Sequence, residues 1–308
     1  MSRAMKTNGP KAWVLAARPK TLTGAIAPVL VGGMLAYTDC SQLSTQAWWS
    51  GLLCLLFALV MQIDANLVND YYDFKKGTDR EDRLGPERAC AQGWITPRAM
   101  QWGIGLTTLL ACVIGLILLD ITMRWELLIV GVACVVGCFI YTLKFSYLGL
   151  GDVLVLLFFG IVPVGFTYYV MTGGWTLLLT IASIGMGLAT DNLLMVNNYR
   201  DIEQDRLSGK RTIVVRLGKQ AALQMYLWLG LMAALLMIVV ELMQVLLDGR
   251  SWFGILLVVA YIGIHINNYQ KMRALTGKAL NMVLGKTAAG IFLYAVVFAL
   301  SLWINATA

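Results

Sequence analysis

The chain has 308 residues, 59% of them hydrophobic and 13% charged, with a mean hydropathy of +0.72 and a formal net charge of +7. So little polar surface cannot coat a soluble globule of this size, which makes a lipid bilayer the chain's expected surroundings. The positive balance reads as membrane topology plus attraction for anionic head groups or phosphates, and no nucleic acid is expected as a partner.

A helix that crosses a bilayer needs about 20 apolar residues. Runs of that kind fall near 21–38, 47–69, 100–119, 124–142, 152–171, 175–196, 221–246, 251–269 and 287–305. The expected fold is therefore all-α and polytopic, with nine transmembrane helices. Pro28 and Pro163 fall inside two of these runs, where neighbouring helices can satisfy the backbone groups they free. The first run follows Arg18-Pro19-Lys20 and has no small-residue cleavage site near its end, so it reads as a retained helix. With nine crossings the basic residues segregate: only Arg124 and Arg250, of the 24 Lys and Arg, fall on the face opposite the rest. Because Lys and Arg collect in cytoplasmic segments, the N-terminus is expected inside and the C-terminus outside. Eight or ten crossings would lose this fit.

The second run ends in Asn66-Leu67-Val68-Asn69-Asp70-Tyr71-Tyr72-Asp73. At 3.6 residues per turn, Asn66, Asp70 and Asp73 lie within about 60° of one helix face, so three oxygen donors point one way. Oxygen donors suit a hard cation such as Mg2+, which binds through a few carboxylates together with substrate phosphates. The pattern recurs in Val196-Asn197-Asn198-Tyr199-Arg200-Asp201, and Asp205 extends it by one turn. Each copy closes an even-numbered span and opens a long charged loop, 74–97 and 202–219, of the kind that forms lids and binding loops. Residues 1–308 are read as one transmembrane domain of two pseudo-repeated halves, with motifs near 66–73 and 197–205.

The six cysteines are scattered. Cys134 and Cys138 share a helix face but lack the further soft ligands a metal would need, so packing is their expected role. His265, with no adjacent carboxylate to orient it, is expected to be packed or interfacial.

Two acid clusters at the mouth of a helical bundle, among Lys and Arg, describe a pocket for a polyanion held through Mg2+. Diphosphate fits best. If it is carried by an allylic isoprenoid, the tail can lie in apolar surroundings while Mg2+ and basic residues stabilise the departing charge. Tyr71, Tyr72, Tyr141, Phe145 and Tyr199 lie near the expected site, where aromatic faces can stabilise an allylic cation or anchor the chain at the interface.

Asn69-Asp70-Tyr71-Tyr72-Asp73 and Asp201-Ile202-Glu203-Gln204-Asp205 resemble the NDxxDxxxD and DxxxD motifs of the UbiA superfamily of intramembrane prenyltransferases. The menaquinone-pathway branch is the most similar, through Arg18-Pro19-Lys20-Thr21, Lys76-Gly77-Thr78-Asp79, Asp82-Arg83-Leu84-Gly85-Pro86, Gly149-Leu150-Gly151-Asp152 and Gly209-Lys210-Arg211-Thr212. The resemblance implies nine helices around a central cavity, with an active site at the cytoplasmic face of a bacterial cytoplasmic (inner) membrane. It also implies transfer of a polyprenyl group from polyprenyl diphosphate to 1,4-dihydroxy-2-naphthoate, with loss of carbon dioxide and diphosphate, giving demethylmenaquinone.

On this reading Asp70, Asp73, Asp201 and Asp205 are catalytic, and together with Asn66 and Asn197 they hold Mg2+. Lys144, Arg200, Lys210 and Arg211 are candidates to contact diphosphate, and Arg18, Lys20 and Asp152 to contact the aromatic acceptor. Gly77 stands where the superfamily pattern has a third Asp, and it is expected to end the helix. The alternatives are another acceptor, such as 4-hydroxybenzoate or haem, and a secondary transporter. A transporter's site is expected near the bilayer midplane on broken helices.

Overall fold

A computed structural model describes residues 5–40, 42–77, 83–141 and 148–307. Helices are the only regular elements among them: α1 (Pro10–Ala17), α2 (Thr23–Asp39), α3 (Thr45–Lys76), α4 (Pro97–Thr122), α5 (Glu126–Ile140), α6 (Gly151–Thr172), α7 (Leu177–Arg200), α8 (Ile202–Leu207), α9 (Ile213–Asp248), α10 (Val258–Ala274) and α11 (Leu280–Thr307). Each of the nine apolar runs overlaps one of these helices. Six of them (α3, α4, α6, α7, α9 and the last, counted from Gly277) are long and apolar enough to cross a bilayer, and the bent pair Pro10–Thr21 and Thr23–Asp39 makes a seventh. At 15 and 17 residues, α5 and α10 are shorter than a full crossing. The chain is thus a multi-pass membrane protein for which length and composition establish six to seven crossings, where the apolar runs suggested nine.

Helix ends follow local chemistry. Ser44, Thr96, Thr176 and Thr212 cap α3, α4, α7 and α9, each side chain accepting from the backbone N–H three residues on. Gly77 adopts φ 68°, and its N–H donates to Asp73 and Phe74 carbonyls, so α3 stops there as expected. Inside α9, Gly218 is non-helical at φ 85° and kinks the helix one turn after it begins. The middle of α6, Leu157–Gly165, is a π-helix around Pro163, a register that accommodates a residue lacking an N–H.

The core gathers α2, α6, α7, α9 and α11 through Val31, Leu35, Val164, Met186, Met237, Tyr294 and Phe298, all buried. α4 and α5 present Leu106, Leu109, Leu116, Ile129 and Val132 outward, the apolar surface expected to face lipid. At the bundle end remote from the acid motifs, Arg250 pairs with Asp39 at 3.2 Å and donates to the Thr38 carbonyl. Arg124 donates to the Tyr169 carbonyl and lies 4.5 Å from its ring centroid. The two basic residues that topology set apart are thus both tied into the fold. His265 is buried and stacked between Tyr226 and Tyr261, with Nε2 at 3.1 Å from the Leu227 carbonyl, the packed role expected of it.

Candidate active site

The C-terminal ends of α3 and α7 meet the start of α6, the α8 turn and the 83–88 segment around a cavity of about 280 Å³. Its lining includes Asn69 and Asp73 from the first motif, and Asn197, Asp201 and Asp205 from the second. The two echoed stretches therefore converge on one space. Each contributes an Asn and an Asp one turn apart, on the same face of its helix.

Every lining carboxylate of these motifs meets a cation. Asp73 accepts from Arg88 at 2.9 Å, Asp201 from Arg200 at 2.6 Å, and Asp205 lies 3.5 Å from the Lys210 ammonium. Burial raises the Asp205 pKa above its ordinary value; Lys210 and Arg200 oppose that rise, and the like charge of Asp201 adds to it. Arg18 and Arg83 also line the cavity, so it is rich in fixed positive charge as well as in acid.

Two expected first-motif residues lie elsewhere. Asp70, 1% exposed, turns away and accepts from the backbone N–H groups of Ala89 and Cys90 at 2.8 and 2.9 Å. Asn66 donates to the Ala17 carbonyl and Thr21 hydroxyl, both at 2.9 Å. Neither lines the cavity; they tie α3 to the loop that covers it and to the segment joining α1 and α2. The side of α3 that faces the cavity is consequently rotated from the one that the Asn66, Asp70, Asp73 spacing defines, with Asn69 in place of Asn66. The echo holds the signal for this, because Asn69 and Asp73 match Asn197 and Asp201 in both residue type and spacing.

The basic candidates divide as well. Lys210 lines the cavity. Arg200 does too, but its guanidinium is held by Asp201, Asn197 and Asn281, which makes it a buried brace between α7 and α11. Arg211 and Lys20 are exposed and outside the lining, whereas Arg18 and Asp152 are part of it. Lys144, Phe145 and Asp79 lie outside the described residues. Tyr141 lines the cavity, while Tyr71, Tyr72 and Tyr199 do not. Arg83 and Arg88, on the 83–88 segment, and Gln204, on α8, also line the cavity and were not candidates from sequence; the folding-back of that segment leaves no local signature.

Among the described residues, no three Asp, Glu, His or Cys side chains converge closely enough to hold a metal ion by themselves. What surrounds the cavity is a set of hard oxygens: the Asp73, Asp201 and Asp205 carboxylates and the Asn69, Asn197 and Gln204 amides. That set fits Mg2+, which takes few protein ligands and completes its shell with water and phosphate oxygens.

The profile of the UbiA prenyltransferase family matches residues 25–285. A 1,4-dihydroxy-2-naphthoate octaprenyltransferase of Escherichia coli K12 is 33% identical over 310 residues, 96% of each chain. Another, from Haemophilus influenzae, is 37% identical over 228 residues, 70% of this chain and 72% of its own. Among solved structures, a UbiA homolog from Aeropyrum pernix superposes with a TM-score of 0.68 at 14% identity, over 91% of this chain and 97% of its own. A UbiA homolog from Archaeoglobus fulgidus, bound to GPP and Mg2+, gives 0.65 at 15% identity, over 95% and 99%.

Proposed function

The chain belongs to the UbiA prenyltransferase family, and from that premise we propose that it transfers a polyprenyl group from polyprenyl diphosphate to 1,4-dihydroxy-2-naphthoate, a step of menaquinone biosynthesis. The observation that carries this reading is the convergence of two Asn-x-x-x-Asp motifs, amid Arg18, Arg83, Arg88 and Lys210, on one cavity. Such a cavity is suited to a diphosphate head group, and the named relatives supply the acceptor.

Asp73, Asp201 and Asp205, with Asn69 and Asn197, would hold Mg2+; when bound it neutralises diphosphate and eases departure of that group. Arg88 and Lys210, already inside the cavity, place positive charge where the leaving oxygens gather charge. Tyr141 contributes an aromatic face beside the allylic carbon as its bond to oxygen breaks. The acceptor's ring carbon takes up the prenyl carbon, diphosphate leaves with the electron pair of the broken bond, and carbon dioxide departs from the substituted ring carbon. Arg18 supplies a cation for the acceptor's carboxylate. Arg200, in the cavity wall, positions Asp201 and Asn197.

The protein is read as lying in the bacterial cytoplasmic membrane with the cavity at the cytoplasmic face, the side on which Lys and Arg collect. Nine crossings, the short α5 and α10 among them, complete that topology. The cavity lies at helix ends and not midway along broken helices, which disfavours a transporter. Purified protein in lipid nanodiscs, given Mg2+, dihydroxynaphthoate and a polyprenyl diphosphate, should release prenylated naphthalene product and diphosphate. Prenylation of 4-hydroxybenzoate in preference to the naphthoate would reassign the acceptor, and no prenylated product from any aromatic acid would refute the reading.

A further inference from the structure

α6 and α7 run antiparallel in a register fixed by small residues. Gly160 sits against the Ser183 carbonyl, where a Cβ would approach to 2.5 Å, and Gly187 sits against Leu156, where a Cβ would approach to 2.6 Å. Each pairing adds one turn on α7 for each turn lost on α6. The next rung brings Asp191 opposite Asp152. Asp152 lines the cavity, and so do Leu194 and Asn198, which share the helix face of Asp191 at i+3 and i+7. Asp191 is not itself in that lining; it lies just beneath it on α7, six residues before Asn197 and on the helix face that carries Leu194 and Asn198.

Each carboxylate has one oxygen that the fold leaves unpaired. Asp191 is only 5% exposed. Among the described residues, the Oδ1 atoms of both Asp152 and Asp191 are buried without a hydrogen-bond partner. A buried carboxylate oxygen without a donor is costly, and buried polar atoms are nearly always satisfied. Asp73, Asp201 and Asp205 each meet a cation, so among the described residues these two oxygens are the unfilled carboxylate acceptors beside the cavity. Tyr141 lines the same cavity, its hydroxyl 3.8 Å from where a Cβ on Gly151, the neighbour of Asp152, would sit.

We propose that Asp152 and Asp191 form a subsite for the hydroxyl groups of a dihydroxylated aromatic acceptor, each Oδ1 accepting a hydrogen bond from one hydroxyl. This rests on the proposed prenyl transfer to an aromatic ring and adds to it the feature by which the acceptor is read. The pair thereby orients the ring with its reacting carbon toward the diphosphate end. An acceptor that lacks one hydroxyl would leave a buried oxygen unfilled, and a site of that kind discriminates strongly against such an analogue.

The test uses the full chain in nanodiscs and two acceptors, 1,4-dihydroxy-2-naphthoate and the analogue without the 4-hydroxyl. In the unaltered protein the analogue should bind, as a competitive inhibitor, about 10-fold or more weakly, the scale of leaving one buried polar atom unpaired. Asp191→Asn should raise the acceptor KM by about the same factor, leave the donor KM within about twofold, and shrink the gap between the two acceptors. Equal binding of both acceptors to the unaltered protein would overturn the proposal, even if Asp191→Asn failed to fold. So would an Asp191→Asn protein with unchanged acceptor KM, which would assign the pair to bound water. Absence of any prenylated naphthoate from the unaltered protein would instead refute the proposed function.

Discussion

Replacing Asp70 by Asn separates the two acids of the first motif, because Asp70 and Asp73 lie less than one turn apart but face different surroundings. Asp70 accepts from the Ala89 and Cys90 N–H groups, one on each oxygen, and is almost wholly buried. The Asn side chain keeps one acceptor and turns an NH2 toward the other N–H. One charge-assisted bond, about 1.5–3 kcal/mol, is lost, and a buried N–H is left without an acceptor at a further cost of about 1–3 kcal/mol. The combined loss is about 2.5–6 kcal/mol, carried by the loop over the cavity. Thermal unfolding in nanodiscs, followed with Mg2+ titration of activity, reads both consequences. The expected result is a clearly lowered Tm with little change in the Mg2+ concentration that gives half-maximal rate. An unaltered Tm together with a strongly raised Mg2+ requirement would make Asp70 a ligand and refute the assignment of Asn69 and Asp73 as the active face.

Lys210→Ala should raise the KM for the prenyl donor more than that for the acceptor, as loss of uniform binding does, whereas Arg211→Ala, on an exposed side chain outside the cavity, should change either by less than about twofold. Steady-state kinetics with each substrate varied in turn checks both, and equal effects of the two substitutions would remove Lys210 from the site. A reporter fused after Ala308 should register the outside and one inserted near Arg88 the inside; both on one face would contradict nine crossings.

Much of this architecture is legible in the sequence because the bilayer imposes it. Apolar runs, their bordering Lys and Arg, and caps such as Ser44 and Thr212 are local signals, and each maps onto a helix or helix end. The echo of 68–73 in 196–201 is local too, and it leads to the convergence of Asp73 with Asp201. What could not be read is the rotation of α3. That depends on the 83–96 segment folding back so that Ala89 and Cys90 reach Asp70, and so that the Asn8 N–H reaches the Trp94 carbonyl at 2.8 Å. These contacts join residues far apart in sequence, and no spacing encodes them. The hold on Arg200 is hidden for a related reason: Asn281, which accepts from its guanidinium, lies 81 residues away.

On the proposed function, Asp73 and Asp201 serve two halves of one Mg2+-diphosphate site. Turnover of Asp73→Asn, Asp201→Asn and the double variant, measured at saturating Mg2+ in protein of unchanged Tm, tests it directly. Each single substitution should lower turnover by about 100-fold or more, the scale of a lost charge stabiliser in the transition state. The double variant should lose less than the product of the two factors, as residues acting as a unit do. Near-normal turnover of Asp201→Asn, or factors that multiply fully in the double variant, would contradict a shared site.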